Sequence, residues 1–340
     1  MKYQQKVFEM LPSCVRAMIL LVFLGMAWGS SALAPANAQN ISVEESPQIL
    51  WKVQSPQNTI YLAGSIHVLQ KHHYPLHPAF DEAFHQSSRV MFEVDLDELS
   101  SPLAQMTMLR KGLYLDGENL STVLSTESYA TAKAHLTELG LQIEDFLRMK
   151  PWMIATAVMA LELQKLGFES AYGVDRHFFE KAQAAGKDRQ GLETVEFQLN
   201  LFDQLPLPVQ EQFLLQTLED LKNLEQEVSE IVLAWKQGNV RKLEGLLVGM
   251  QEYPELYQAL VVNRNKAWLP HIEQALQEKE PVFIVVGALH LMGREGLIAA
   301  LQEKGYWVEQ LSSRRQLGAK KLCKPLMCIG DLKIAWSPFG

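Results

Sequence analysis

Two short motifs of the same form stand at the ends of apolar segments that are far apart in the chain. "YLAGSIHVL" contains Gly64 and His67, and "VVGALHLMG" contains Gly287 and His290. In each motif a glycine, which permits a sharp chain exit and close backbone approach, precedes a histidine by three positions. Imidazole acts as a general acid or base and is a frequent metal ligand. One Gly-x-x-His is weak evidence, but two at the ends of apolar segments indicate a single site with two histidines.

Carboxylates follow two further strand candidates. Glu93 comes directly out of the apolar segment "RVMFEV", and Glu193 follows the short segment "DRQGL". A carboxylate at the end of a buried strand is costly unless it is paired or binds a cation. Two histidines and a carboxylate, with open positions for water, are a sensible ligand set for a divalent ion. His67, His290 and Glu93 are therefore candidate metal ligands, and Glu93 or Glu193 is the candidate general base.

Structural roles stay open for these residues. The alternative for each histidine is to cap a turn by hydrogen bonding to the backbone. The alternative for Glu93 is to be a strand-end carboxylate paired with Arg or Lys. Asp175, in "GVDRHFF", is more simply a first-turn residue that complements a helix dipole. "VVNRNKAW" places Arg264 and Asn265 just ahead of a helix. Arg264 is expected to clamp a carboxylate, either of the substrate or of Glu93 or Glu193.

The elements that must position these residues follow an α/β pattern. "ILWKVQS" and "TIYLAGS", separated by "PQN", predict a β-hairpin that leads into the first Gly-x-x-His. "HPAFDEAFHQS" then predicts a helix and "RVMFEVD" a strand, and the order strand, helix, strand returns from "VFIVVG" to "YWVEQL". In an open α/β sheet, ligand sites gather beyond the carboxyl ends of the strands. The two histidines can therefore meet if their strands are neighbours.

The middle of the chain, from about residue 99 to 278, has helical periodicity. Helices are predicted at "PWMIATAVMALELQKLG", "VDRHFFEKAQAAG" and, as one long element, "VQEQFLLQTLEDLKNLEQEVSEIVLAWKQG", and "KDRQGLE" allows one short strand. The expected fold is α/β, with a central mixed or parallel sheet built from the N- and C-terminal segments. The large helical insertion in the middle would cover the sheet or cap a cleft.

The first 38 residues have the layout of a secretory signal peptide. Lys2, Lys6 and Arg16 precede the apolar run "AMILLVFLGMAWG", and small residues at Ala36 and Ala38 predict cleavage after Ala38. The apolar run is short for a membrane-spanning helix, although an uncleaved anchor is the alternative. We expect a secreted or periplasmic protein without a stable membrane anchor after cleavage.

Charge and cysteine content limit the partners and the chemistry. The chain has 31 Lys and Arg against 39 Asp and Glu, a net charge of −8, and loss of three basic residues and one acidic residue with the first 38 residues makes it −10. The absence of a basic stripe argues against nucleic acid as a partner. After cleavage only Cys323 and Cys328 remain, and in an oxidising compartment we expect them to form a small disulfide loop. A redox or metal role is the alternative.

The expected organisation has four parts. They are a signal peptide at 1–38, a polar leader at 39–47, an α/β domain at 48–315 with its helical insertion at about 99–278, and a tail at 316–340 that contains the two cysteines. The sequence predicts no oligomeric state.

Several motifs, taken in order, resemble the TraB/PrgY/GumN family, which also contains the TIKI proteins. The resemblance covers about residues 48–312 and is carried by "YLAGSIHVL", "FEVD", "GVDRHFFEKAQAAGK", "GLETVEFQ", "NRNKAW" and "FIVVGALHLMGREGLIAALQEKGYWVEQL". It implies an α/β core shared with the erythromycin esterase-like and haem-binding ChaN-like proteins. The extra histidines of "QKHHYPLHP" depart from the family pattern, and nothing in the resemblance makes them ligands.

The resemblance also implies an activity and a site. The TIKI members are metal-dependent proteases that use manganese or cobalt and require two Gly-x-x-His motifs and a Glu. Carried over, this implies that His67, His290 and Glu93 bind Mn²⁺ or Co²⁺, with Zn²⁺ as an alternative, and act on a peptide or protein substrate. The PrgY and TraB members are associated with blocking peptide pheromones. A protein that binds a peptide or haem without turnover, or an envelope-assembly protein with a vestigial site, is therefore the alternative.

Overall fold

A six-stranded mixed sheet is the centre of the computed structural model, which describes residues 46–312. The sheet order is β4-β3-β5-β2-β1-β6. The strands are β1 (Pro47–Gln54), β2 (Thr59–Ser65), β3 (Arg89–Phe92), β4 (Asp188–Gly191), β5 (Val282–Gly287) and β6 (Trp307–Ser312). Neighbours among β4, β3, β5 and β2 are parallel, whereas β1 is antiparallel to both β2 and β6. The expected α/β class with a mixed sheet is confirmed.

Helices connect the strands and pack around the sheet. They are α1 (Pro78–Gln86), α2 (Leu96–Leu99), α3 (Pro102–Gly112), α4 (Leu120–Val123), α5 (Thr126–Glu138), α6 (Pro151–Lys165), α7 (Val174–Ala184), α8 (Val195–Asp203), α9 (Leu207–Asp220), α10 (Leu224–Lys236), α11 (Val240–Met250), α12 (Pro254–Tyr257), α13 (Asn263–Gln277) and α14 (Leu297–Glu303). Short 3₁₀ turns lie at Lys71–His73, Ile143–Phe146, Ser170–Tyr172, Leu221–Asn223 and Ala288–Leu291, and a π-helical turn lies at Gln258–Val262.

Two elements in the middle of the chain differ from the expectation. The predicted long helix is two helices, α9 and α10, because the backbone at Asn223 leaves the helical region (φ −115°, ψ 12°). Asparagine is a poor helix former, although the apolar periodicity continues across it. β4 lies inside the segment expected to be helical, where "KDRQGLE" allowed one strand, and it pairs with β3. The sheet is therefore not built from the N- and C-terminal segments alone.

The register of the central strands determines where the two glycine-histidine motifs lie. β1 and β2 form the predicted antiparallel hairpin, and β2 pairs on its other side with β5. All six residues of β5 are buried, as a strand covered on both faces requires. Ser65 at the end of β2 lies opposite Gly287 at the end of β5. The two motifs therefore leave neighbouring parallel strands at the same edge of the sheet.

Aromatic side chains join the helices to this part of the sheet. Phe178 of α7 lies 4.9 Å from Phe283 of β5 and 5.6 Å from Phe84 of α1, measured between ring centroids. Trp235 of α10 donates a hydrogen bond from Nε1 to the carbonyl oxygen of Gly64 at 2.7 Å. The helical middle of the chain is thus packed directly onto the strand that carries the first motif.

Several sequence-based expectations lie beyond these residues. The signal peptide at 1–38, most of the polar leader and the Cys323–Cys328 loop fall outside the described residues. Within residues 46–312, no helix has both the length and the apolar character that a membrane crossing needs.

The close packing of Gly64 gives a first prediction. A Cβ atom there would lie 2.3 Å from Ile49 Cγ2 and 3.0 Å from the backbone Cα of Ala288. We expect Gly64→Ala to destabilise the protein by about 1–3 kcal/mol, the usual cost of overpacking a core. The measurement is urea denaturation followed by circular dichroism.

Gly245→Ala is the matched control. Apart from its chain neighbours and the nearby backbone of its own helix, no atom of the described residues lies within 4 Å of the added Cβ, and alanine is the better helix former in α11. This variant should be as stable as the wild type or slightly more stable. Equal stability of the Gly64→Ala variant and the wild type would contradict the packing described here.

Candidate functional site

Four neighbouring parallel strands end at one edge of the sheet, and each leads into a candidate residue. In sheet order, β4 leads to Glu193, β3 to Glu93, β5 to His290 and β2 to His67. The parallel pairing of β4 with β3 continues past the strand ends, because the Glu193 amide donates to the Glu93 carbonyl oxygen at 2.9 Å. The structure thus brings these four sequence-predicted residues to one edge.

A fully buried guanidinium binds three of them. Arg264 donates from Nε and Nη2 to Glu193 Oε1 at 3.0 and 2.6 Å, and from Nη2 to Glu93 Oε2 at 2.5 Å. Its Nη1 lies 3.0 Å from His290 Nε2. The flat fork of donors in arginine can serve three acceptors at once, which a lysine ammonium does not match. Arg264 lies in the first turn of α13, after the π-helical turn, rather than ahead of the helix as expected.

The charges in this network depend on one another. Burial raises the pKa of Glu193, while Arg264 and the indole of Trp268 act in the opposite direction. Burial alone lowers the pKa of Arg264, but the carboxylates of Glu93 and Glu193 raise it above its ordinary value. The guanidinium therefore stays charged and interacts favourably with both buried carboxyl groups.

Asn265 determines the tautomer of His290. Its Nδ2 donates to the carbonyl oxygens of His290 at 3.1 Å and Glu295 at 2.9 Å, so its Oδ1, 2.7 Å from His290 Nδ1, is an acceptor. Nδ1 therefore carries the ring proton, and Nε2 presents its lone pair to Arg264, which can only donate. Burial, with the nearby Arg264 and His67, lowers the pKa of His290 well below its usual value. His290 is a neutral acceptor in this arrangement.

Trp268 packs this network from the same helix face as Arg264. Its Nε1 donates to Glu193 Oε2 at 2.8 Å, and its ring lies 4.6 Å from Arg264 Cζ and 4.4 Å from the His290 ring. Trp268 is not among the site residues predicted from the sequence. The signal was present in "RNKAW", because positions four apart lie on one face of a helix.

The approach of α7 to the first motif brings Asp175 to His67. The Val174 amide donates to the Ile66 carbonyl oxygen at 3.0 Å, and a Cβ on Gly173 would lie 2.3 Å from the His67 carbonyl oxygen. A glycine at position 173 therefore permits the contact. Asp175 lies in the first turn of α7 as expected, but its Oδ1 is also 3.2 Å from His67 Nδ1.

His67 differs from His290 in the direction of its pKa shift and in its free ring nitrogen. Burial alone lowers the pKa of His67, but the Asp175 carboxylate, with a smaller effect from Glu93, raises it above the ordinary histidine value. Its Nε2 is buried and has no hydrogen-bond partner within residues 46–312. His67 borders a cavity of about 30 Å³ whose polar and apolar walls are formed by Ser65, His67, Phe92, Glu93, Val94, Leu96, Leu99, Asp175, Gln198 and Val285.

The expected ligand set of His67, His290 and Glu93 does not fit a divalent ion in this arrangement. Arg264 binds His290 Nε2 and Glu93 Oε2, and the Gly287 amide donates to Glu93 Oε1 at 2.6 Å. His67 keeps a free ring nitrogen, but the other two members of the set are engaged. Across the part of the chain that the structure describes, no three His, Cys, Asp or Glu side chains are grouped so that they could hold a metal ion.

The fold and the site define a class of protein. It is an α/β protein in which the ends of four parallel strands place two histidines and two glutamates near a buried arginine. The chain belongs to the TraB/PrgY/gumN family, whose model matches residues 49–310.

Two proteins with similar sequences are consistent with this family membership. The chain is 27% identical over 240 residues to the uncharacterized protein YbaP of Escherichia coli (strain K12). The aligned region covers 70% of this chain and 85% of YbaP. It is 23% identical over 323 residues to the metalloprotease TIKI2 of Danio rerio. The aligned region covers 79% of this chain and 62% of TIKI2. The chain therefore spans less than two thirds of that metalloprotease. No solved structure matches the chain significantly.

Because the charges around Arg264 are buried, we expect Arg264→Met to lower the stability of the protein strongly. The variant leaves Glu93 and Glu193 buried without their cation, which should cost about 3–5 kcal/mol of stability. The pKa of Glu193, already raised by burial, rises further when the guanidinium is lost. A carboxyl with a raised pKa in the folded state favours folding only while it is protonated. The deficit relative to the wild type should therefore grow as the pH rises from about 5 to about 8, measured by urea denaturation at both values.

Arg89→Met is the control for loss of an arginine ion pair. Arg89 lies 2.6 Å from Glu278, but the two side chains are 20% and 36% exposed, and a pair of this kind contributes about 0–1 kcal/mol. If Arg264→Met is no less stable than Arg89→Met at the higher pH, the buried network is not the stabilising interaction described here.

Proposed function

We propose that this protein is a hydrolase with a peptide or protein substrate. Membership of the TraB/PrgY/gumN family and the similarity to the metalloprotease TIKI2 support this class of reaction. The observation that carries the proposal is the environment of His67. Its Nδ1 contacts Asp175, and its buried Nε2 borders a cavity beside Glu93 and Gln198. A histidine oriented by a carboxylate, with its other nitrogen free, is suited to general base catalysis.

His67 is the base in this proposal, in place of either glutamate. Its Nε2 accepts a proton from water as the water oxygen attacks the scissile carbonyl carbon, and Asp175 stabilises the imidazolium that forms. Glu93 and Glu193, the bases expected from the sequence, both bind Arg264 and are poorly placed to accept a proton. Arg264 is fully buried, so its role is to compensate and position these carboxylates rather than to bind the oxyanion.

A divalent cation, Mn²⁺ or Co²⁺ with Zn²⁺ as the alternative, enters the proposal through the resemblance to the TIKI proteins. When bound, such an ion supplies Lewis acidity. For His67, His290 and Glu93 to hold it, Arg264 would have to release His290 and Glu93 and remain on Glu193. The metal requirement is therefore tested separately from the hydrolytic activity.

The cellular context is proposed on the composition of the chain. We propose export to the periplasm or the exterior with cleavage after Ala38, a tail closed by a Cys323–Cys328 disulfide, and no nucleic-acid partner. The net charge of −8 supports the last point. We also propose that the core is shared with the erythromycin esterase-like and ChaN-like proteins, as the family resemblance implies.

Peptide binding without turnover is the second candidate function. The contacts of Arg264 with Glu93, Glu193 and His290 favour it, because a site that only binds a peptide needs neither a free carboxylate nor a metal ion.

Cleavage of a peptide library by the protein purified without a metal-affinity tag tests the proposal. We expect cleavage by the wild type and a loss of about 10²–10⁴-fold in kcat for His67→Ala, the usual contribution of a general base. His271→Ala is the matched control, because His271 is exposed on α13, and it should retain full activity.

The assays separate hydrolysis from binding and decide whether a metal ion takes part. Undiminished cleavage by His67→Ala contradicts the assignment of the base, and saturable peptide binding without cleavage in every condition supports the second candidate. Assays with Mn²⁺, Co²⁺ or chelator, with elemental analysis of the wild type, His67→Ala and His290→Ala, decide the metal requirement. Metal bound by the wild type and lost in both variants would show that Arg264 gives way to the ion.

A further inference from the structure

Ser65 is a buried residue of the site that lies outside the pattern of glycines and histidines. It ends β2, its side chain is 0% exposed, and it borders the same cavity as His67. Its Oγ has no hydrogen-bond partner among residues 46–312. A buried hydroxyl that stays unpaired costs about 1–3 kcal/mol, so a partner other than a protein atom is expected.

The cavity therefore has two buried polar atoms with the same requirement, Ser65 Oγ and His67 Nε2. Its volume of about 30 Å³ exceeds the roughly 10–15 Å³ that one water occupies, and a buried water needs two to four polar partners. These two atoms supply the first two partners, and the Gln198 amide on the cavity wall can supply another. We propose that Ser65 and His67 hold one water molecule in this cavity and that this water is the nucleophile of the hydrolysis.

The positions of both side chains are fixed before any substrate binds. The backbone of Ser65 pairs with Gly287 in the parallel ladder, and the ring of His67 contacts Asp175. A water held between two fixed groups loses little further freedom when it reacts, which is the advantage of preorganisation. Ser65 donates its hydroxyl proton to the water oxygen, and the water donates one of its protons to His67 Nε2.

The chemical step follows from this arrangement and rests on the proposed hydrolase function. The water oxygen forms the bond to the scissile carbonyl carbon while its proton passes to His67 Nε2. As the C–N bond breaks, His67 returns that proton to the leaving nitrogen, so a carboxylic acid and an amine are formed from amide and water. Ser65 is unchanged throughout.

Crystal structures and kinetics of the full protein test this inference together. We expect the wild-type structure to show one ordered water within hydrogen-bond distance of Ser65 Oγ and His67 Nε2. Ser65→Ala should lower kcat about tenfold with KM unchanged, because the water loses one hydrogen bond and the substrate loses none. Thr217→Val is the matched control, since Thr217 Oγ1 is also fully buried and has no partner in residues 46–312, but it lies in α9 away from the cavity.

The outcomes separate this inference from the proposed function. A wild-type structure without the bridging water, or with an anomalous signal from a metal ion in its place, overturns the inference whatever the protein cleaves. If the wild type cleaves nothing, the proposed function fails, and the role of the water as nucleophile fails with it even where the water is seen. Full kcat in Ser65→Ala, or an acyl group on Ser65 detected by mass spectrometry, overturns the assignment while the hydrolase function stands.

Discussion

The interaction on which the site depends is the fully buried guanidinium of Arg264 between Glu93 and Glu193. Two carboxylates at neighbouring strand ends would repel each other and lose their hydration without a cation between them. Arginine satisfies both and still reaches His290. Because the carboxylates are committed to Arg264 and His290 is held neutral, His67 is left as the member of the group with a free ring nitrogen.

The arrangement of the strands that carry the two histidine motifs could be predicted from the sequence. Parallel strands end at one edge of a sheet, so two Gly-x-x-His motifs at strand ends could be predicted to meet, and β2 and β5 are indeed neighbours. The edge strand β4 was harder to predict, since its residues are mostly exposed and its pairing with β3 gives it its place. Likewise, Asp175 in a first helical turn has an adequate local role, and its contact with His67 arises from backbone packing that no local pattern records.

The two motifs look equivalent in sequence but are not equivalent in the fold. His290 is fixed from both sides, by Asn265 at Nδ1 and by Arg264 at Nε2. His67 contacts Asp175 on one side and faces a cavity on the other. Which nitrogen is free depends on hydrogen-bond partners that come from α7 and α13, so spacing within the motifs could not reveal it. In this member of the TraB/PrgY/gumN family, His290 and Glu93 can bind a metal ion only if Arg264 moves away from them.

Nitrogen-15 NMR of the histidine rings tests the central contact between Arg264 and His290 most directly, with His290→Gln used to assign the signals. We expect His290 at neutral pH to be neutral, to carry its proton on Nδ1, and to keep this state when Zn²⁺ is added in amounts equal to the protein. A proton on His290 Nε2, an imidazolium, or a shift of that nitrogen to a metal-bound value would contradict it.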